Sequence, residues 1–327
     1  MGKKDTALYR YFQDEDRVAD LLDVYVFGGK RVIQGVDIYE KDARVTGIFD
    51  KLRKRLSIEK YRDLIRRVAL NTNFVIVGLE DQDKIHYAMP VRVMFEDAAN
   101  YDEQMRKIQK GHRRKRDLRG AEWLGGFAKS DRLEPVITIV LYYGSEPWDG
   151  AKELYQLING ENLPKEIMKL VNNYKLHILE VRNYSETGQF QTDLKEVFRF
   201  IQCANNKEAM KALTDSDPER YGALEEDAFD VITALTNSDA LENVKENCMK
   251  EKRKVNMCKA ISDLIADGRL EGQLEGKLEG ERAGARSKAE TVARNMFLRG
   301  MSAEDAAAIC EEDIEQVRTW FAAWGRK

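Results

Sequence analysis

An acidic residue closing a buried strand is the first feature of this sequence that could do chemistry. Phe74-Val75-Ile76-Val77, extended by Gly78 and Leu79, is a short apolar run rich in β-branched residues. Its length and composition predict a strand buried on both faces rather than a helix. The run stops at Glu80-Asp81-Gln82. A carboxylate at the end of a buried strand is costly unless it is ion-paired, hydrogen-bonded or metal-bound. Two readings stand side by side: the strand ends and Glu80 reaches solvent, or Glu80 is held there for a purpose. Strand geometry puts Glu80 and Gln82 on one face and the Asp81 side chain on the other.

The surrounding elements must position this group. Residues 5–26 show near-helical recurrence of Leu8, Tyr11, Phe12, Val18, Leu21, Leu22 and Val26, and Gly28-Gly29 ends the segment. Asp14, Asp16 and Asp20 lie among these residues, and a solvated helix face is the reading favoured for them. Tyr61, Leu64, Ile65 and Val68 share a helical period, followed by a turn signal at Asn71-Thr72-Asn73. After Gln82, Met89, Val93, Met94 and Ala98 predict a helix with Pro90 near its start, continuing through Tyr101 and Gln104. The most basic run of the chain leaves that helix, and Lys107, Lys110, Arg113, Arg114, Lys115 and Arg116 are its candidates for phosphate contact. A solvated loop is the ordinary alternative for such a run. Residues 136–143 and 175–182 read as further strands and Phe190–Ala204 as an amphipathic helix. Strands alternating with helices imply an α/β core.

Several of these stretches together resemble one family. Glu80-x-Gln82, Tyr87-Ala88-Met89-Pro90-Val91-Arg92, Tyr101 and Gln104 are followed by Pro135-Val136-Ile137-Thr138-Ile139-Val140-Leu141-Tyr142-Tyr143-Gly144 and Glu146-Pro147-Trp148-Asp149-Gly150. In this order they resemble the Rpn family of recombination-promoting nucleases and transposase-like proteins, within the PD-(D/E)XK nuclease superfamily. The likeness spans roughly residues 5–215. It implies a restriction-endonuclease-like α/β core over residues 1–215, with a mixed central sheet flanked by helices. It implies a metal-dependent DNA endonuclease, linked to recombination, mobile elements or defence. It overrides the helical period at 61–68 and puts Asp63 at the start of a strand paired with 74–80. Asp63 and Glu80 would then ligate Mg²⁺ or another divalent cation such as Mn²⁺ or Ca²⁺, hard ions suited to carboxylate oxygens. Gln82 takes the third catalytic place, usually Lys in the superfamily and often Gln in this family; its amide donates a hydrogen bond without bringing charge. Asp16 or Asp20 could supply a further acid. The competing class is a non-catalytic DNA-binding or self-associating module that keeps the nuclease fold.

Composition is compatible with either class. The 327 residues carry 34% charged side chains and a net charge of −3, with a mean hydropathy of −0.56. No apolar run approaches the ~20 residues of a membrane span, and the first residues show no apolar signal region. Cys203, Cys248, Cys258 and Cys310 lack metal-ligand spacing and the three histidines are scattered, which argues against zinc. Unpatterned cysteines point to a reducing, cytoplasmic setting.

Beyond Lys207 strand signals vanish. A helical extension is expected over 216–266, with helices at 218–236 and 240–266. The final part, 267–327, opens on a repeat of Gly268, Gly272, Gly276, Gly280 and Gly284, with Leu270, Leu274 and Leu278 between. Each interior glycine costs a helix about 1 kcal/mol relative to Ala. The interleaved Leu and Glu favour a helix that packs on a copy of itself, making a homo-oligomer, over a flexible linker. Arg299–Trp324 reads helix–turn–helix, with an acidic second half (Glu311, Glu312, Asp313, Glu315) that suits packing rather than DNA reading.

Overall fold

The computed structural model describes residues 3–40, 64–70, 73–160 and 163–325. Asp63 lies outside the described residues. The opening amphipathic segment, expected as one helix, is two: α1 (Lys3–Tyr11) and α2 (Glu15–Phe27). The break is at Asp14, whose carboxylate accepts from the Asp16 amide and caps α2. The helix stops at Gly28 in the left-handed region, φ +61°.

A five-stranded sheet follows, in spatial order β1 (Ile38–Glu40), β2 (Leu64–Leu70), β3 (Asn73–Gln82), β4 (Val136–Tyr142), β5 (His177–Glu180). The first three strands are antiparallel and the last three parallel, so the sheet is mixed. The pairing expected between a strand starting at Asp63 and residues 74–80 is present from Leu64 onward: Leu70 pairs with Asn73 and Leu64 with Leu79. A parallel return from β3 to β4 needs a long crossover, which α3 (Met89–Lys115) and the short α4 (Gly120–Gly125) supply.

Alternation sorts the two faces. Gly78, Glu80 and Gln82 share one with their β4 partners Thr138, Val140 and Tyr142. Helix α3 lies on that face, where Met89 and Val93 form a core with Val140, Tyr142 and Trp148. Val77 and Leu79 point to the other, with their partners Arg66 and Leu64; there the Arg66 guanidinium donates to the Phe12 carbonyl just beyond α1.

Further helices complete this unit: α5 (Leu194–Cys203), α6 (Lys207–Ser216), α7 (Glu226–Thr236) and α8 (Asp239–Cys248). Where no strand was expected, β6 (Leu224–Glu225), β7 (Met249–Lys250) and β8 (Lys254–Val255) make a small sheet. Strands of two residues leave no apolar run to read. The chain ends in α9 (Met257–Leu298), α10 (Ala303–Cys310) and α11 (Ile314–Trp324).

Two compact units result, Met1–Ser262 and Asp263–Lys327. In the first, buried Arg17 on α2 grips Asp193 through Nε and Nη2, both at 2.8 Å, and Asp227 on α7 through Nη1 at 2.5 Å. Its guanidinium also stands 4.0 Å from the Tyr11 ring centre. Burial alone would lower the Arg17 pKa; the Asp227 and Asp193 carboxylates more than reverse this and raise it. In the second unit, Ala293, Ala306 and Val317 are fully buried beside Trp320, and Ser302 caps α10 by accepting from the Asp305 amide. The glycine repeat is continuous helix within α9. A Cβ at Gly272, Gly276, Gly280 or Gly284 would meet open space, and Leu270, Leu274 and Leu278 are more than half exposed. Among the described residues no helix is long and apolar enough to cross a membrane.

Candidate active site

Glu80 does not reach solvent; it is 0% exposed. The end of β3 holds it beside Val140, beneath α3. Arg92, near the start of that helix, donates from Nη2 to Glu80 Oε2 at 2.5 Å and from Nε to Glu96 Oε1 at 3.2 Å. One guanidinium thus stands between two buried carboxylates. The start of α3, with Pro90 in its first turn, fixes Arg92 over the strand end, and the i,i+4 spacing brings Glu96 alongside. Next to this trio, Asp97 accepts from the Thr138 hydroxyl at 2.6 Å and from the Tyr174 hydroxyl. The interface of α3 with the sheet therefore carries two neighbouring polar sets, Arg92 with Glu80 and Glu96, and Asp97 with Thr138 and Tyr174.

Gln82, two residues on and on the same face, is half-buried, and its carbonyl accepts from the Tyr143 amide at 3.0 Å. The backbone brings Gln82 and Glu80 together as expected. Leu64, the residue after Asp63, pairs with Leu79, the residue before Glu80. Asp16 is exposed, whereas Asp20, expected on a solvated face, is 3% exposed. Its oxygens accept from Arg31, from the Gln191 and Thr192 amides and from the Thr192 hydroxyl. These bonds make Asp20 a clasp between α2 and the segment leading into α5.

The other motif residues have structural posts. The Tyr101 hydroxyl accepts from the Val136 amide at 3.1 Å. Gln104 brackets Glu134, accepting from its amide at 2.7 Å and donating to its carbonyl at 3.1 Å. Together they fix the start of β4 against α3. Trp148 plugs the end of the sheet: it is buried, edge-on to Tyr142 at 5.2 Å, and its Nε1 donates to the Gly150 carbonyl.

Carboxylate oxygen is the right donor for Mg²⁺, and Glu80 supplies it. Among the described residues no three His, Cys, Asp or Glu side chains converge on a point that could hold a metal ion. The described residues thus contribute one of the two expected ligands, and that ligand is engaged by Arg92. Arg92 closes the Tyr87–Arg92 motif, which by itself assigns it no role. The available signal was physical: a carboxylate on a buried strand demands a cation, and Arg92–Glu96 is a ready helical pair.

The basic run is helix where a loop was the ordinary reading. α3 continues through Lys115, and Arg116, at φ +54°, closes it with its amide on the His112 carbonyl. Cations suit the last turns of a helix, where the backbone dipole ends negative. Lys107 and Arg106 pair with Glu103 and Asp102 one turn back. Lys110, Arg113, Arg114, Lys115 and Arg116 make no ion pair with any described residue. His112 lies between Asp117, 2.7 Å from Nδ1, and Asp131, 2.9 Å from Nε2. Asp117 foremost, and then Asp131, raises the His112 pKa.

If this helix end meets phosphates, replacing Arg113, Arg114, Lys115 and Arg116 with Ser will flatten the salt dependence of duplex binding. Every phosphate left unneutralised lowers the slope of log K against log salt by about 0.9. Titrations at several salt concentrations measure the slope, and an unchanged one removes the run from the binding surface.

Comparison with protein-family models, with curated proteins and with solved structures finds no match.

Proposed function

We propose that the chain is a metal-dependent DNA endonuclease with a PD-(D/E)XK-type core. The observation that carries this reading is the setting of Glu80. It sits fully buried at the end of the middle strand, where an antiparallel hairpin gives way through α3 to a parallel neighbour. The ordered motifs that resemble the Rpn family add to it. Asp63 and Glu80 would hold Mg²⁺, Mn²⁺ or Ca²⁺. When bound, such an ion polarises a phosphodiester and acidifies water. Arg92 donates to the Glu80 carboxylate and fixes its direction. Gln82 offers a neutral donor on the same face, able to orient a water or a phosphate oxygen. The exposed cations at the end of α3 would take the flanking phosphates.

The Arg92–Glu80 pair specifically favours a second reading, a DNA-binding module that keeps the fold without cleavage, because the guanidinium already neutralises the one described ligand. Supercoiled-plasmid cleavage in EDTA, Mg²⁺, Mn²⁺ and Ca²⁺ separates the two. Nicking that requires Mg²⁺ or Mn²⁺ supports the endonuclease. Duplex binding with no cleavage in any metal supports the module.

The tail fits assembly of two or more copies. An isolated helix with open glycines and half-exposed leucines is marginal in water, and a second copy laid along that stripe would bury both. Light scattering on the full chain should give a multiple of the 37.7 kDa chain mass, and a truncation ending at Asp267 should give the single-chain value. Equal states for both chains would leave the repeat without an assembly role.

A further inference from the structure

A hollow lies between the end of α3 and α4, and Glu80 is not among the residues that line it. It encloses about 600 Å³ and is lined by His112, Arg113, Arg116, Leu118, Trp123 and Leu124. That size is within the range of small-molecule sites. Trp123 is 71% exposed and Leu124 83%, whereas Trp148 and Trp320 are buried. The exposure is built in. Gln109 donates to the Gly125 carbonyl at 3.1 Å, and the Lys129 amide donates to Glu122 at 2.8 Å. His112 bonds to Asp131, which also accepts from the Ala128 amide. Positive φ at Arg116, Gly120 and Gly126 shapes the turns on either side of α4. An indole is thus held out beside two guanidinium groups that have no acidic partner among the described residues.

The geometry points to a binding platform for single-stranded nucleic acid, in which a base stacks on Trp123 and the adjoining phosphates meet Arg113 and Arg116. An aromatic face flanked by unpaired cations matches a strand that alternates flat bases with anionic linkages. A duplex keeps its base faces against one another and offers only phosphates, so a single strand, or an end that has come apart, is the form that uses both features. An apolar protein partner would use the indole and Leu124 but leave the cations unanswered. The platform rests on the nucleic-acid reading of the basic run and is independent of cleavage.

The test uses the full chain in EDTA, with fluorescein-labelled oligothymidylate and a labelled duplex of equal length, read by anisotropy. Trp123→Ala should weaken oligothymidylate binding by about tenfold or more and duplex binding by less than about twofold. Trp123→Phe should stay close to wild type on both. Arg113→Ser with Arg116→Ser should weaken both probes and lower the single-strand salt slope by about 0.7 for every phosphate no longer neutralised. Wild-type affinity of Trp123→Ala for oligothymidylate would overturn the platform, while the paired Arg variant still reported on the basic run. An equal loss on both probes would overturn the single-strand assignment. A fall in molecular mass on light scattering of Trp123→Ala, with oligothymidylate binding intact, would reassign the surface to a second copy of the chain. No binding of either probe by the wild type would overturn the platform and the nucleic-acid reading together.

Discussion

Glu80→Gln is expected to lose plasmid nicking by at least about 100-fold while the chain still folds cooperatively. The substitution keeps the shape and one acceptor oxygen toward Arg92 but removes the charge needed to hold a divalent ion. Glu80→Ala is the blunter change. Sequence alone suggests it would leave the fold intact, as for Asp63→Ala, but Arg92 donates to Glu80 at 2.5 Å in a buried setting. Cutting one partner from a buried pair typically costs about 3–5 kcal/mol. Glu96 still faces Arg92, so about 3 kcal/mol is expected here. Thermal unfolding of both variants beside the cleavage assay separates chemistry from folding. Nicking by a folded Glu80→Gln at the wild-type rate would end the assignment of Glu80 as a ligand.

Arg17→Ala should cost as much stability as Glu80→Ala, without touching the candidate site. Its guanidinium joins α2 to Asp193 at the entry to α5 and to Asp227 on α7, and packs on the Tyr11 ring. Removing it strands two carboxylates, of which Asp227 is partly exposed and Asp193 much less so. Partial exposure places the cost at about 3 kcal/mol, the low end for a broken buried pair. In a unit of this size that is a fall of roughly 6–10 °C in the unfolding midpoint. Arg17→Lys should fall between Arg17→Ala and wild type, because an ammonium lacks the planar fork that grips Asp193 through two nitrogens while a third reaches Asp227. A midpoint for Arg17→Ala within about 1 °C of wild type would show that the cluster adds nothing net, as some buried ion pairs do.

The middle of the sheet was legible from residue types alone. Phe74–Leu79 is continuous and β-branched because both faces of β3 are covered, and that pattern survives in any environment. β2 was not, because Tyr61, Leu64, Ile65 and Val68 also fit a helix. What decides it is that Arg66 and Arg67 point to opposite faces and each finds a partner, Phe12 for one and Glu134 for the other. No local pattern encodes partners that lie 54 and 67 residues away. The same reason hid the clasp role of Asp20, which depends on amides at 191 and 192. At the site, Glu80 and Gln82 were legible as a pair on one face. The buried state of Glu80 and its hold on Arg92 required α3 to be seen lying on that face. For the basic run a solvated loop was only the ordinary alternative to phosphate contact; the run forms the last turns of α3, where cations meet the negative end of the backbone dipole.

The mixed direction of the sheet also sets an order of events during folding. β2 and β3 pair with Leu70 against Asn73, with only two residues between them in sequence, and closing so short a loop costs little chain entropy. β3 and β4 pair Ile76 with Val136, so the whole of α3 and α4 must be gathered in between. Long-range parallel pairing of this kind is intrinsically slow. The β2–β3 hairpin is therefore expected to form early, with Glu80 still hydrated at its open edge. Water leaves that carboxylate only when β4 docks and α3 settles over it, the same step that delivers Arg92. Charge and countercharge are buried together in the late part of the reaction, so the chain never has to carry Glu80 dry and alone.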